Sequence, residues 1–159
     1  MRILITTQAV DLGDPILGFF HRWIEEFAKH CESVHVICLR QGETNLPPNV
    51  FVHSLGKENG TSRLARVIRF YRYVFRFRHE YDAVFAHMNP EYVVLAGPLW
   101  RMWGKRVALW YVHKSVTWWL RVAHIFVQRI FTAVSNSITL TSNKIRVMGH
   151  GMDISAYTF

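Results

Sequence analysis

Short apolar segments alternate along this chain with longer segments of helical periodicity, and this alternation constrains the fold most. The strand-like segments are RILITT (2–7), SVHVICL (33–39), VFVHSLG (50–56), DAVFAHM (82–88), RVALWYVH (106–113), FTAVS (131–135) and IRVMG (145–149). Helices are expected near residues 19–31, 62–79, 90–104 and 115–130, the third with a kink or early break at Gly97-Pro98. Strands that alternate with helices favour a parallel sheet covered on both faces. The sequence therefore predicts an α/β, three-layer α/β/α sandwich with a mostly parallel sheet.

Composition narrows the class of protein further. The chain has 159 residues, 50% of them hydrophobic, so a single domain can build its core without disulfides or metal. Cys31 and Cys38 lie in or beside apolar segments without a pairing pattern, which favours reduced core thiols and a cytoplasmic protein. No apolar run approaches the roughly 18 residues that a membrane span needs. The net charge of +8 favours an anionic partner.

Polar residues follow several of the predicted strands at their carboxyl ends, where open α/β sheets bind ligands. The candidate substrate-binding residues are Asp14, Gly18, His87, Asn89, Lys114 and Ser135. The first loop is not a dinucleotide fingerprint, because Gly13 and Gly18 are five residues apart with a proline between them. These glycines are equally compatible with ordinary turns. No spacing typical of metal ligands occurs, so we expect no metal site.

His113 is the candidate catalytic residue. It ends an apolar segment and precedes Lys114, so it can hold a hydroxyl or an anionic oxygen at the sheet edge. The alternative is a histidine that simply caps its loop. If the segments around His87 and His113 are neighbours in the sheet, the two loops face one cleft.

The second predicted helix combines arginines with aromatic residues. Its expected core stripe is Leu64, Val67, Ile68, Tyr71, Val74 and Phe75. The expected outer face holds Arg66, Arg69, Phe70, Arg72, Tyr73, Arg76 and Phe77. Arginines with exposed rings suit anionic lipid headgroups, so this face is a candidate membrane contact. Packing against a protein partner is the main alternative, and nucleic acid is least favoured because no recognition motif accompanies the charge.

In order along the chain, several motifs resemble the N-terminal domain of the family 4-like glycosyltransferases, which have the GT-B architecture of two facing Rossmann-like domains. The motifs are MRILITTQ with GFFHRWIEEFAKHCESVHVICL, HEYDAVFAHMNPEY, ALWYVHKS, FTAVSNS and KIRVMGHGMDISAYTF. In the family, the last of these crosses into the second domain. The resemblance therefore implies a Rossmann-like N-terminal domain over residues 1–148 and an interdomain seam at residues 149–159.

The resemblance also implies a function. The chain would be the acceptor-binding half of an enzyme that moves a sugar from a nucleotide-diphosphate sugar to a hydroxyl, usually with retention. His113 matches the family's cleft histidine, and Gly18 matches one glycine of its first loop, although Leu17 replaces the usual preceding glycine. The donor would bind to a C-terminal domain, so no cofactor is expected in this chain, which alone should have little activity. The acceptor would be a small molecule or a lipid-linked or envelope component at the inner face of the membrane.

Two other interpretations stay open. The chain can be a stand-alone binding or assembly module that pairs with a separate donor-binding domain. It can also be an unrelated Rossmann-like nucleotide-binding protein.

Overall fold

A computed structural model describes residues 1–149; residues 150–159, which hold almost all of the predicted seam, lie outside the described part. The strands are β1 Arg2–Val10, β2 Ser33–Gln41, β3 Val50–Ser54, β4 Ala83–His87, β5 Arg106–Trp110, β6 Arg129–Thr132 and β7 Ile145–Val147. The helices are α1 Gly18–His30, α2 Arg63–Arg76, α3 Pro90–Met102 and α4 Trp118–Phe126. Single 3₁₀ turns follow β3 at Lys57–Asn59 and β6 at Ser135–Ser137.

The strands form one seven-stranded sheet in the order β3-β2-β1-β4-β5-β6-β7, and the pairings are all parallel. The chain starts in the middle, builds outward to β3, and then crosses back to continue from β4 on the other side of β1. The predicted α/β sandwich with a parallel sheet is confirmed. β4 and β5 are neighbours, so the loops after them share one edge.

Side chains that alternate along each strand build two hydrophobic layers. On one face, Leu4 and Val84 join the buried side chains of α2, α3 and α4. On the other face, Ile5 and Phe85 pack under α1. Within residues 1–149, three helices therefore cover one face and a single helix covers the other.

Local chemistry sets where the helices begin and how two of them approach. The Ser62 side chain accepts a hydrogen bond from the Ala65 N–H at the start of α2, and Thr117 does the same for Leu120 in α4. α3 runs through Pro98 without the expected break. A Cβ at Gly97 would lie 2.7 Å from the Phe126 Cβ, so glycine allows α3 and α4 to pack closely.

The predicted orientation of α2 is wrong for most of the helix. Val74 is buried as predicted, but Phe70 and Phe77, expected on the outer face, are buried too, whereas Leu64 and Ile68 are 71% and 60% exposed. The large aromatic rings are buried in place of the aliphatic stripe because they fill the space above the sheet. Phe70 packs on Tyr92 and Trp100. Phe77 stacks on His53, with ring centroids 4.3 Å apart.

This correction changes the candidate membrane contacts. Phe70 and Phe77 belong to the core, and the half-buried Tyr73 donates a weak hydrogen bond to the Ser54 carbonyl at 3.4 Å. Arg69 donates to the Leu55 carbonyl at 3.0 Å, which makes it an internal anchor of the helix. Arg66 is half-buried, and Arg72 and Arg76 are exposed as predicted.

Candidate functional site

The candidate site lies at the edge of the sheet where the parallel strands end. β1, β4 and β5 are adjacent in the sheet, so the loops that follow them emerge side by side. β1 extends beyond its predicted end to Val10, and β5 stops at Trp110, which leaves His113 in a loop. The loops after β2 and β3 reach the same edge on the other side of β1.

Asp14 organises the loop between β1 and α1. Its Oδ1 accepts hydrogen bonds of 2.8 Å from the Ile16 and Leu17 N–H groups, and its Oδ2 pairs with Arg40. The bonds from Leu17 and Ile16, together with the Arg40 charge, hold the pKa of Asp14 below its usual value. The structure therefore gives Asp14 a role in shaping the loop, and direct contact with a substrate stays a prediction.

Gly18 begins α1 where two stretches of backbone meet. A Cβ at this position would lie 3.1 Å from the Leu12 carbonyl oxygen. A side chain would therefore crowd the loop against the helix start. The glycine that the resemblance assigns to a ligand has a packing reason of its own.

His87 is buried beneath this loop. Its ring stacks on Phe20 with centroids 3.8 Å apart, and its Nδ1 lies 3.2 Å from the Thr7 hydroxyl oxygen. Burial lowers the pKa of His87 to about 3, so the ring is neutral at pH 7. Its Nε2 is buried without a hydrogen-bond partner anywhere in residues 1–149. A neutral imidazole has one N–H donor and one nitrogen acceptor, so His87 keeps one unused hydrogen-bonding group beneath the loop.

Backbone strain marks the next residue along the chain. Met88 has φ +62°, which is uncommon for a residue other than glycine and costs of order 1 kcal/mol or more. Its N–H donates to the Trp110 carbonyl at 2.8 Å, which ties this turn to β5. Beside it, the Asn89 Oδ1 accepts a hydrogen bond of 2.9 Å from Gln8. The turn after β4 is therefore held to both neighbouring strands.

These groups surround an open cavity of about 400 Å³. Its lining residues are Gln8, Ala9, Asp14, Ile16, Leu17, Leu39, Arg40, Lys57, His87 and Met88. The cavity brings together Asp14 and His87 from the sequence-predicted set, and the Gln8 bond places Asn89 beside it. Arg40 and Lys57 were missed, although the signal that indicated the other residues applies to them. Arg40 lies near the end of β2, and Lys57 begins the turn after β3.

His113, Lys114 and Ser135 lie on the same edge but do not line this cavity. His113 is exposed, and its Nδ1 accepts a 3.1 Å hydrogen bond from the Ser115 N–H. Because Nδ1 accepts, Nε2 is the ring nitrogen that carries a proton and can donate a hydrogen bond.

The loop that carries His113 is fixed from two sides. The Tyr111 hydroxyl donates to the Ser115 carbonyl, and Thr139 donates to the Lys114 carbonyl. Ser135 is exposed in the turn after β6. The edge therefore has two parts, the cavity beside β1 and the exposed loops after β5 and β6.

Two general features concern residues 1–149 as a whole. Within this range, no group of three or more histidine, cysteine, aspartate or glutamate residues is arranged to hold a metal ion. The helices of the same range are all too short or too polar to cross a bilayer.

The fold is similar to that of domains in GT-B glycosyltransferase-like proteins. HepE of Anabaena, solved in complex with UDP, superposes with a TM-score of 0.65 at 18% identity, over 98% of this chain and 45% of HepE. MurG of Acinetobacter baumannii gives 0.59 at 13% identity, over 96% of this chain and 47% of MurG. The UDP-GlcNAc 2-epimerase of Neisseria meningitidis, bound to UDP-GlcNAc, superposes with a TM-score of 0.58 at 13% identity, over 91% of this chain and 45% of the epimerase.

The chain spans a little under half the length of these three proteins. No protein-family model matches it, and a search of curated proteins finds no match. At these identities the likeness concerns the fold. Two of these three proteins are solved with UDP or UDP-GlcNAc bound.

Proposed function

We propose that this chain is the acceptor-binding half of a glycosyltransferase that moves a sugar from a nucleotide-diphosphate sugar to a hydroxyl, with retention at the anomeric carbon. The observation that carries the proposal is the cavity at the carboxyl edge of the sheet. It presents a neutral, buried His87 and a strained turn at Met88 on a fold shared with sugar-nucleotide proteins. Ligands of open α/β sheets bind at this edge.

The roles of the edge residues follow from their chemistry. His87 and Asn89 would bind acceptor hydroxyls in the cavity, and His113 would donate its Nε2–H to an oxygen of the acceptor or the transferred sugar. Lys114 and Ser135 would bind the same ligands from the exposed loops. His113 acts here by stabilising an oxygen, because its Nδ1 already accepts from Ser115.

The donor would bind to a second, C-terminal domain that faces this edge. A departing nucleotide diphosphate needs cations and N–H donors around its phosphates. The loop after β1 lacks the tight glycine turn that supplies those N–H donors in dinucleotide sites. The chain alone is therefore expected to have little transferase activity.

The test is an assay of nucleotide diphosphate release from UDP-sugars, with a lipid extract of the source cells as acceptor. We expect turnover when the chain is joined to or mixed with its donor-binding domain, and little with either half alone. The reading frame after Phe159 identifies that domain: an open frame indicates one longer enzyme, and a stop codon followed by a second gene indicates a split one. Full transferase activity of the chain alone would overturn the proposed division. Interconversion of free UDP-sugars without transfer would indicate an epimerase instead.

We further propose that the protein works at the cytoplasmic face of a membrane, where a lipid-linked acceptor is found. The support is an apolar surface, here named the α2–α3 patch: Leu64, Val67, Ile68, Phe75 and Met102, all exposed. The Phe75 ring packs 5.4 Å from that of Trp103, which joins the two helix ends. α2 contains five arginines and no acidic residue, so the patch complements an anionic lipid surface.

Vesicle flotation tests this location. Ile68→Ser should weaken binding to vesicles that contain phosphatidylglycerol, because it removes an exposed apolar side chain from the patch. Ile125→Ser on α4 is the matched control, since Ile125 is 64% exposed against 60% for Ile68. Equal binding of both variants and the unaltered chain would exclude the patch as the membrane contact.

A further inference from the structure

Two cations line the cavity without being needed to explain the binding of neutral sugar hydroxyls. Arg40 comes from the end of β2 and Lys57 from the turn after β3. Asp14 is the single carboxylate of the lining, so the charged groups there sum to one net positive charge. His87 adds none, because burial keeps its ring neutral at pH 7.

The two cations differ in how they are held. Arg40 pairs with the Asp14 carboxylate, which is itself fixed by two backbone N–H groups. That contact uses the Arg40 Nη2, which leaves further N–H groups of the guanidinium fork for a ligand. Lys57 is exposed and forms no ion pair with a carboxylate of residues 1–149. A ligand can therefore bind the Lys57 ammonium group without breaking an existing ion pair.

Other carboxylates near this edge are engaged elsewhere. Glu58, next to Lys57, accepts a hydrogen bond of 2.6 Å from the Ser54 hydroxyl. The Asp11 carboxylate accepts from the Gly13 N–H at 3.0 Å and lies against Gly42, outside the cavity lining. Neither neutralises Lys57 by direct contact.

The cavity therefore offers two kinds of contact at once. Leu39, Ile16 and the buried His87 ring supply apolar and aromatic lining. Arg40 and Lys57 supply charge-assisted donors at the side of β2 and β3. Such donors bind carboxylate or phosphate oxygens about twice as strongly as neutral groups do.

We infer that the cavity binds an anionic sugar, with a carboxylate or phosphate group on Arg40 and Lys57 and the sugar ring against the lining beside His87. This inference rests on the proposed function and specifies it: the acceptor would carry its negative charge close to its sugar hydroxyls. A carboxylate and a phosphate present the same oxygen acceptors to the two cations, so the experiment separates them.

The test is a titration of the 159-residue chain with three sugars, followed by two-dimensional NMR of backbone amides. Glucose is the neutral probe, glucuronate carries a carboxylate, and glucose 1-phosphate carries a phosphate. We expect at least one anionic probe to bind about tenfold or more tightly than glucose. The amide chemical-shift changes that this probe causes should centre on residues around Arg40, Lys57 and His87. The probe that binds more tightly shows whether the site prefers a carboxylate or a phosphate.

Lys57→Ala is the diagnostic variant, because the Lys57 side chain forms no ion pair within residues 1–149 whose loss would disturb the fold. It should remove most of the preference for the anionic probe, and Lys57→Arg should restore it. Lys29→Ala on α1 is the matched control and should leave the preference intact. Arg40→Ala is less informative alone, since it also releases Asp14.

Three outcomes would overturn the inference: equal affinity for the three probes, a preference that survives Lys57→Ala, or no binding of any probe. None of these touches the proposed transferase activity, which the nucleotide-release assay measures separately. Conversely, if the chain binds anionic sugars preferentially but shows no transferase activity with its donor-binding domain, the anionic-sugar site stands and the proposed transferase function is wrong.

Discussion

The sheet edge and the outer face of α2 are both polar surfaces, but their side chains are held in different ways. At the edge, Asp14 has three partners, Asn89 is bonded to Gln8, and His87 is stacked and buried. On α2, Arg72 and Arg76 are exposed and form no ion pair with any carboxylate of the described chain.

This difference separates two kinds of recognition. Side chains that are already fixed lose little conformational entropy when they bind, which suits a small ligand of defined shape. Flexible arginines beside exposed apolar side chains suit an extended, fluid partner such as a lipid surface. The edge is therefore the candidate for chemistry, and the α2–α3 patch is the candidate for location.

The largest expected effect concerns the inner side of α2. Phe70→Ala should lower the free energy of unfolding by about 3–5 kcal/mol, because it empties a fully buried ring position against Tyr92 and Trp100. Phe75→Ala on the outer side should cost about 1 kcal/mol or less. Urea denaturation followed by circular dichroism measures both. A larger loss of unfolding free energy in Phe75→Ala than in Phe70→Ala would contradict this orientation of α2.

The next effect concerns the edge. In the proposed two-domain enzyme, His113→Ala should reduce turnover roughly 100-fold, the usual loss when one donor to a reacting oxygen is removed. The exposed His79→Ala is the control and should leave turnover unchanged. Thermal unfolding should be the same for both variants. Unaltered turnover in His113→Ala would remove this residue from the reaction.

A smaller effect is expected on the outer face of α2. Replacing Arg72 and Arg76 by alanine should weaken binding to anionic vesicles about 30-fold, since each cation contributes about 1 kcal/mol near such a surface. Arg69 is left in place because it anchors the helix to Leu55. Neutral vesicles and Lys29→Ala supply the controls. If the double variant binds as well as the unaltered chain, and neutral vesicles bind as well as anionic ones, the outer face of α2 is more consistent with a protein partner.

The smallest effect tests the loop that shapes the cavity. Because the pKa of Asp14 is lowered in the folded chain, its ionised form stabilises the fold above the unfolded pKa of about 4. That contribution is lost as the pH falls through the lower, folded pKa. Asp14→Asn should therefore melt at a slightly lower temperature than the unaltered chain at pH 7, and the two curves should converge near pH 2. A constant difference across this range would exclude the ionised carboxylate as the cause.

The fold could be predicted from the sequence because the strands are short apolar runs and most of the connections between them have helical periodicity. The edge residues were predictable for a related reason: parallel strands bring their carboxyl ends together whatever fills the core. Arg40 and Lys57 obey the same rule and could have been named. The orientation of α2 could not, since two stripes of similar apolarity compete. Its choice depends on rings from other elements, such as His53 and Trp100.

The burial of His87 was also beyond local patterns. Its neutral state depends on Phe20, which reaches it through the packing of α1 on the sheet. The strain at Met88 likewise arises from the turn geometry between β4 and α3.

Calorimetric titration of this chain with UDP, ATP and NAD tests the central claim most directly. Because the acceptor is assigned to this edge and the nucleotide to another domain, we expect no tight, stoichiometric binding of any of the three. Tight, stoichiometric binding of one of these nucleotides by the isolated chain would contradict it and indicate a nucleotide-binding domain in its own right.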